Sequence, residues 1–249
     1  MTQILSIHSF RGGAGKSNVT ANLAATLAQD SRVAVIDTDI QSPGVHVLFD
    51  FAQQPNMQML NHYLWGECAI EETVQDVTET VEGANGALYL VPSSIDSGDI
   101  GRFLREGYDV SMLTEAFQTL PEALQLDYLL IDTHPGVNEE TLLSIAVSDF
   151  LILMMRPDKQ DFQGTAVTVE LASRLGVPNL IIGLNKVPPS LYAPALREHV
   201  AKTFDADVGC ALPLNFEIAE LGSGGLFTLK FPQHPWSREL KLLAQKVKQ

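Results

Sequence analysis

Residues 4–20 read ILSIHSFRGGAGKSNVT, and the spacing of their glycines, lysine and hydroxyl suits the binding of a phosphate chain. A short apolar run at 4–7 enters a glycine-rich turn, which closes on Gly15-Lys16-Ser17 just before a helical stretch. Glycines let successive backbone N–H groups close around phosphate oxygens, and a helix start adds favourable partial charge. The backbone of Gly12, Gly13, Ala14, Gly15, Lys16, Ser17 and Asn18 is the expected cradle. Lys16 is expected to reach the terminal phosphates, and the Ser17 hydroxyl to ligate Mg²⁺. An empty glycine-rich turn is the bland alternative; strand, turn, lysine, hydroxyl and helix together argue against it.

Two acidic clusters follow apolar runs. In Val33-Ala34-Val35-Ile36-Asp37-Thr38-Asp39 the two carboxylates are two residues apart. On an extended chain such side chains share a side, so both can face one metal–phosphate site; solvated loop carboxylates are the alternative. In Tyr128-Leu129-Leu130-Ile131-Asp132-Thr133-His134-Pro135-Gly136, four apolar residues precede Asp132. That is a Walker B pattern, whose aspartate holds Mg²⁺ near the loop serine, usually through water. His134 can contact the same site, although a lone histidine in a loop is more often a bystander.

The elements that must position these groups read as an alternation. Apolar strand-like runs fall at 4–7, 33–36, 88–91, 128–131, 151–154 and 180–184. Helical stretches fall at 18–29, 58–64, 110–120, 139–147, 162–175 and 193–204. The pattern predicts an α/β fold: a mostly parallel, doubly wound sheet with helices on both faces, and ligands at the carboxyl ends of the strands.

With 249 residues, 45% hydrophobic and 18% charged, the chain can bury a substantial core, and we expect one domain over 1–249. The net charge of −14 argues against whole-surface attraction to nucleic acid. The charge is uneven: Lys230, Arg238, Lys241, Lys246 and Lys248 stand against Glu239 alone in residues 226–249, a net +4 that leaves −18 for 1–225. Cys68 and Cys210 lack disulfide or metal spacing. No apolar run approaches a membrane span and no basic leader precedes the first strand, so a cytoplasmic protein is expected. The terminal helix at 237–249 places Leu240, Leu243, Ala244 and Val247 on one face and Arg238, Lys241 and Lys248 on the other. A membrane-surface helix, a basic strip for DNA and a final helix docked on the sheet all share this pattern. Docking is favoured, with the basic face left for weak nucleic-acid binding.

The segment Arg11-Gly12-Gly13-Ala14-Gly15-Lys16-Ser17 resembles the deviant Walker A box of the MinD/ParA family of P-loop ATPases, with Phe10 where the common loop has glycine. The likeness extends over nearly the whole chain, through 58–67 after the first acidic cluster and 231–244 near the end. It implies ATP and Mg²⁺ as cofactors and a homodimer in the ATP state. In that family a signature lysine reaches across the dimer to the other subunit's nucleotide; Arg11 holds its place here. It further implies Asp39 as the residue orienting the attacking water, Asp37 on the metal side with Ser17 and Asp132, and Gly136 as a γ-phosphate sensor. The catalytic set is then Lys16, Asp39 and Arg11. Asn185 would pair with the adenine edge, a cap or turn role being the alternative, and Pro213 and Asn215 in the 211–216 loop would cover the other side of the base. The 156–162 loop would lie near the dimer interface, where Lys159 is a substitute cross-subunit cation or simply a solvated charge. The implied function is a switch that positions or partitions a cargo (plasmid, chromosome, carboxysome, or division or polar machinery) through hydrolysis stimulated by an adaptor protein. Non-specific DNA through the terminal helix is a further expected partner, with nucleoid association, ahead of a membrane. A metabolic P-loop ATPase and a nucleotide-gated module with little turnover remain open; a cluster-assembly ATPase would want a cysteine pair near the C-terminus.

Overall fold

A computed structural model describes residues 1–191 and 194–249. Eight strands form one sheet: β1 (Gln3–His8), β2 (Arg32–Asp37), β3 (Gln75–Asp76), β4 (Ala87–Val91), β5 (Tyr128–Asp132), β6 (Phe150–Met155), β7 (Asn179–Val187) and β8 (Asp207–Pro213). Their order is β3-β4-β2-β5-β1-β6-β7-β8, parallel throughout except for the β3–β4 edge pair. The helices are α1 (Lys16–Leu27), α2 (Val45–Leu48), α3 (Leu60–Leu64), α4 (Ser97–Glu106), α5 (Ser111–Ala123), α6 (Glu139–Ala146), α7 (Lys159–Leu175), α8 (Pro194–Phe204), α9 (Phe216–Leu221), α10 (Phe227–Lys230) and α11 (Pro235–Val247). The expected doubly wound α/β sheet is the architecture found.

Strand alternation sorts the core into layers. Leu5, Ile7, Val33, Val35 and Leu130 pack against α1, α2, α10 and α11. Ala34, Ile36, Leu129 and Ile131 face the other way, onto α3, α4 and α5. Beyond β1, Leu153, Met155, Ile182 and Leu184 meet α7 and α8. The terminal helix is docked: Trp236, Leu240, Leu243 and Val247 are fully buried, each worth about 1.5–3 kcal/mol of apolar transfer. Two of its lysines hold acids of the body, Lys246 on Asp207 and Lys248 on Asp30, at 2.6 Å each. The Lys248 pairing engages one of the three charges on the face expected to meet DNA.

Several boundaries differ from the sequence expectation, each for a local reason. The strand expected to end before Asn185 continues to Val187, through register irregularities against β8 between Ile182 and Gly183 and between Leu184 and Val187. The loop expected at 211–216 is instead the end of β8, a short link, and the first residue of α9 capped by Asn215. β8 opens on an exposed aspartate and contains Gly209, where a Cβ would stand 2.7 Å from Leu243 Cδ1 of α11; glycine lets the last helix lie close. α4 forms despite Gly98 and Gly101 because Asp96 caps Gly98 N at 2.7 Å and Phe103 is buried. Ala193, the expected first residue of α8, lies outside the described residues.

Candidate functional site

Strand order gathers the chemistry. β5 lies between β1 and β2, with Asp132 in register with Ile7 on one side and Asp37 on the other. The glycine-rich loop leaves β1 at this same carboxyl edge, so Asp37, Asp132 and the loop emerge side by side.

The loop has the geometry of an anion cradle. Gly13 and Gly15 adopt left-handed φ values of 79° and 88°, which glycine reaches without strain. Gly15 precedes α1 with no side-chain cap, and the first turn of α1 holds no acid. The first N–H groups of a helix have no intrahelical partner, and here no side chain among the described residues replaces one. Lys16 is 7% exposed in that turn. Thr20, one turn on, places Oγ1 2.9 Å from Asp132 Oδ1 and 3.0 Å from the Lys16 carbonyl. Ser17 also hydrogen-bonds Asp132. The loop serine and the Asp132 carboxylate are thus in contact, as Mg²⁺ ligation by one and outer-sphere support by the other requires.

The buried acids show what this edge lacks. Asp132 has its pKa raised to about 6, chiefly by burial, with hydrogen bonds from Ser17 and the charge of Lys16 opposing. Asp37 is pushed well above the carboxylate range by burial and by the neighbouring Asp132 and Asp39. A divalent cation would reverse both trends. Among the described residues no group of three or more His, Cys, Asp or Glu side chains could hold a metal by itself. Mg²⁺ keeps several waters and takes one or two protein ligands plus phosphate oxygens, and Ser17 beside the buried Asp132 offers such a ligand. The residues present therefore fit a Mg²⁺–nucleotide group held by Lys16, Ser17 and the loop backbone.

Asp37 has a structural use as well: its carboxylate accepts from the backbone N–H groups of Asp39 (3.1 Å), Gly44 (3.1 Å) and Val45 (3.4 Å), and so shapes the loop after β2. Asp39 is raised by burial, with His134 and Lys16 opposing. His134 Nε2 lies 3.8 Å from Asp39 Oδ1. His134 Nδ1 is 2.7 Å from the Pro135 carbonyl; a carbonyl only accepts, so Nδ1 carries hydrogen and Nε2 faces the carboxylate. Lys16, Asp39, Asp132 and His134 are thereby brought together.

Arg11 is placed differently from the other loop residues. Its Nη1 donates to Gln160 Oε1 and lies 3.7 Å from Asp161 Oδ1, both at the start of α7. Phe10 packs on the same helix, where a Cβ at Gly164 would be 2.2 Å from its ring. Lys159 is exposed in the first turn of α7. Asn185 donates Nδ2 to the Ala14 carbonyl at 2.8 Å and accepts from Lys186 N at 2.8 Å, which leaves one amide hydrogen for a base. Pro213 and Asn215 border an open cavity of about 400 Å³ with Leu214, Phe216 and His234. Asn215 Oδ1 caps Glu217 N at 2.8 Å, and its Nδ2 is buried without a partner among the described residues. Gly136 has φ 87° and donates its N–H to the Ser9 carbonyl at 3.2 Å.

Sequence reasoning passed over His8 and Lys186. Thr133 Oγ1 gives its only hydrogen to the Ile7 carbonyl at 3.0 Å, so it accepts from His8 Nδ1 at 2.8 Å. His8 is therefore the Nδ1–H tautomer, joining the end of β1 to the residue after Asp132. Burial foremost, then Lys16 and His134, lowers its pKa to about 3, so it stays neutral. Lys186 Nζ donates to the Gly13 carbonyl at 2.9 Å.

Fold and loop together define a P-loop nucleotide-binding protein. A family described as an AAA domain, AAA_31, matches residues 2–175, and the chain belongs to this family; its fold is that of the MinD/ParA P-loop ATPases. The septum site-determining protein MinD of Pyrococcus horikoshii, solved with Mg-ADP, superposes with TM-score 0.80 at 21% identity, covering 100% of this chain and 97% of that one. An uncharacterized ATP-binding protein of Methanocaldococcus jannaschii is 27% identical over 75% of this chain and 65% of its own length. An iron-sulfur cluster carrier protein of Methanococcus maripaludis is 30% identical over 72% of this chain and 58% of its own. The chain thus spans just under two thirds of the length of the curated relatives it matches. Among the described residues no helix is long and apolar enough to cross a membrane.

Proposed function

We propose that the protein is a Mg·ATP-dependent switch that dimerises with ATP between subunits, engages a cargo through an adaptor protein, and is reset by hydrolysis. The observation that carries hydrolysis is the placement of Asp39 beside Lys16 and His134 at the mouth of the loop. A carboxylate there can orient a water toward the terminal phosphate. Bound Mg·ATP would supply the electrophilic phosphorus, and its cation would neutralise negative charge on the phosphate oxygens. Lys16 adds positive charge at the terminal phosphates, Ser17 offers its hydroxyl to the metal, Asp132 holds Ser17, and Asp39 directs the water; no side chain forms a covalent intermediate. Whole-chain likeness in fold to a septum site-determining protein supports a positioning role. The cargo class extends to plasmid, chromosome, carboxysome, or division or polar machinery. Arg238 and Lys241, neither paired with an acid among the described residues, leave a small basic strip on α11 for DNA.

Arg11 supports a second reading, a nucleotide-gated module with little turnover, because it is engaged with α7 of its own chain. A cluster carrier is less favoured: Cys210 is fully buried in β8, its thiol pushed up to about 12, and Cys68 lies beside the opposite core layer. Light scattering with Mg²⁺ and a slowly hydrolysed ATP analogue should give twice the mass seen with ADP. Asp39→Ala should keep analogue binding and lose phosphate release. A single-chain mass in both states overturns the dimer, and unchanged turnover in Asp39→Ala overturns its role.

A further inference from the structure

Two side chains from one strand reach back across the sheet edge to the glycine-rich loop. Asn185 Nδ2 donates to the Ala14 carbonyl at 2.8 Å, and Lys186 Nζ donates to the Gly13 carbonyl at 2.9 Å. The strand is deformed where they leave it. Lys186 has φ 54°, in the left-handed region costly for a side chain of its size, and the β7–β8 register is irregular between Leu184 and Val187. Gly15 is fitted to the contact, since a Cβ there would stand 2.3 Å from Asn185 Nδ2.

A trans peptide is planar, so the carbonyl of one residue and the N–H of the next point in opposite directions. Holding the Gly13 carbonyl therefore fixes the Ala14 N–H, and holding the Ala14 carbonyl fixes the Gly15 N–H. Neither N–H donates to another group among the described residues. Both belong to the cradle expected to close on phosphate oxygens.

We infer that Lys186 is a positioning residue of the nucleotide site: with Asn185 it braces the outer side of the loop so that the Ala14 and Gly15 N–H groups are aimed at the phosphates before ligand arrives. The inference rests on the nucleotide-binding reading above. Lys186 acts through the loop, so its contribution falls on ground state and transition state alike and appears in binding rather than in turnover.

The test is a titration of Lys186→Met and Lys186→Arg, with Mg²⁺ plus a slowly hydrolysed ATP analogue, and separately with Mg²⁺ plus inorganic tripolyphosphate, which has phosphates and no base. Losing one preorganising hydrogen bond should weaken both ligands in Lys186→Met about five- to tenfold. KM for ATP should rise with kcat near wild type, and Lys186→Arg should recover most of the loss. Lys186 is exposed, so the unliganded melting temperature should hardly move; should Lys186→Met fail to fold, Lys186→Ala, which also removes the donor to the Gly13 carbonyl, is read on the two ligands with the same expected loss. Wild-type affinity in Lys186→Met, a loss confined to the ATP analogue, or no recovery by arginine overturns the inference. A wild-type protein that binds neither ligand overturns the nucleotide-binding reading instead.

Discussion

Two helices begin side by side at the carboxyl edge of the sheet, and their first turns are finished in opposite ways. α7 is closed by its own chain: Asp158 accepts from Gln160 N and Asp161 N at 3.0 Å, and Asp161, 3% exposed, is gripped by Arg156 through two guanidinium bonds of 2.9 and 2.8 Å. α1 has a left-handed glycine before it, no cap and no acid in its first turn, and the nearby buried Asp132 has no arginine partner among the described residues. The acids report the difference. Burial pushes both upward; Arg156 more than offsets this at Asp161, leaving it below the usual carboxylate range, whereas Asp132 stays raised at about 6. A helix start completed by side chains holds structure, and one left open waits for an anion and a cation from outside.

Lys16 gives the largest expected effect. It is the buried cation of the open helix start, and Lys16→Ala should lower affinity for Mg²⁺ plus an ATP analogue by about ten- to a hundredfold, a charged hydrogen bond being worth ~1.5–3 kcal/mol. Calorimetric titration checks this. An affinity within threefold of wild type would mean that the loop backbone alone carries the phosphates.

The two acids should respond oppositely to pH in protein freed of metal and nucleotide. Asp132 has a folded pKa above its unfolded one, so its favourable contribution is present below about pH 4 and is lost as pH rises through about 6. Asp161 has a depressed folded pKa, so its contribution is present above about pH 4 and is lost only as pH falls below that. Urea unfolding of Asp132→Asn should therefore show the variant gaining on wild type between about pH 4.5 and pH 6.5, while the deficit of Asp161→Asn stays nearly flat. Mg²⁺ with ADP should flatten the Asp132 difference. Parallel slopes for the two variants would break the contrast.

How much of this was legible in the sequence follows from how far each interaction reaches along the chain. The loop was legible because glycine, lysine and serine identities act within a few residues, and the Walker B aspartate because an apolar strand delivers it to the same edge. The finish of α7 was half legible: its core residues from Phe162 onward showed a helical period, but the helix starts at Lys159 because Asp158 caps it. The bracing by Lys186 was not legible, since it joins residues 173 apart and depends on a left-handed residue inside a strand. The engagement of Arg11 with Gln160 also escaped, because a family pattern predicts a charge at position 11 but not the partner it takes in a single chain. The short edge strand β3, polar and two residues long, has no periodicity to find.

The smallest effects come from exchanging the two finishes. Asp158→Ala removes a cap that serves two N–H groups and should cost about 1 kcal/mol of stability, with ATP-analogue affinity nearly unchanged. Asn18→Asp does the reverse at α1, placing an acid in a first turn that has none. Its carboxylate favours the positive end of the helix and should stabilise the unliganded protein by about 0.3–1 kcal/mol at low salt. The same charge repels phosphate, so ATP-analogue affinity should fall severalfold, and added salt should shrink both effects because an exposed charge is screened. Thermal melts and titrations at two ionic strengths read all four quantities. Asn18→Asp that stabilises the free protein without weakening the ligand would show that α1 is open for a reason other than anion binding.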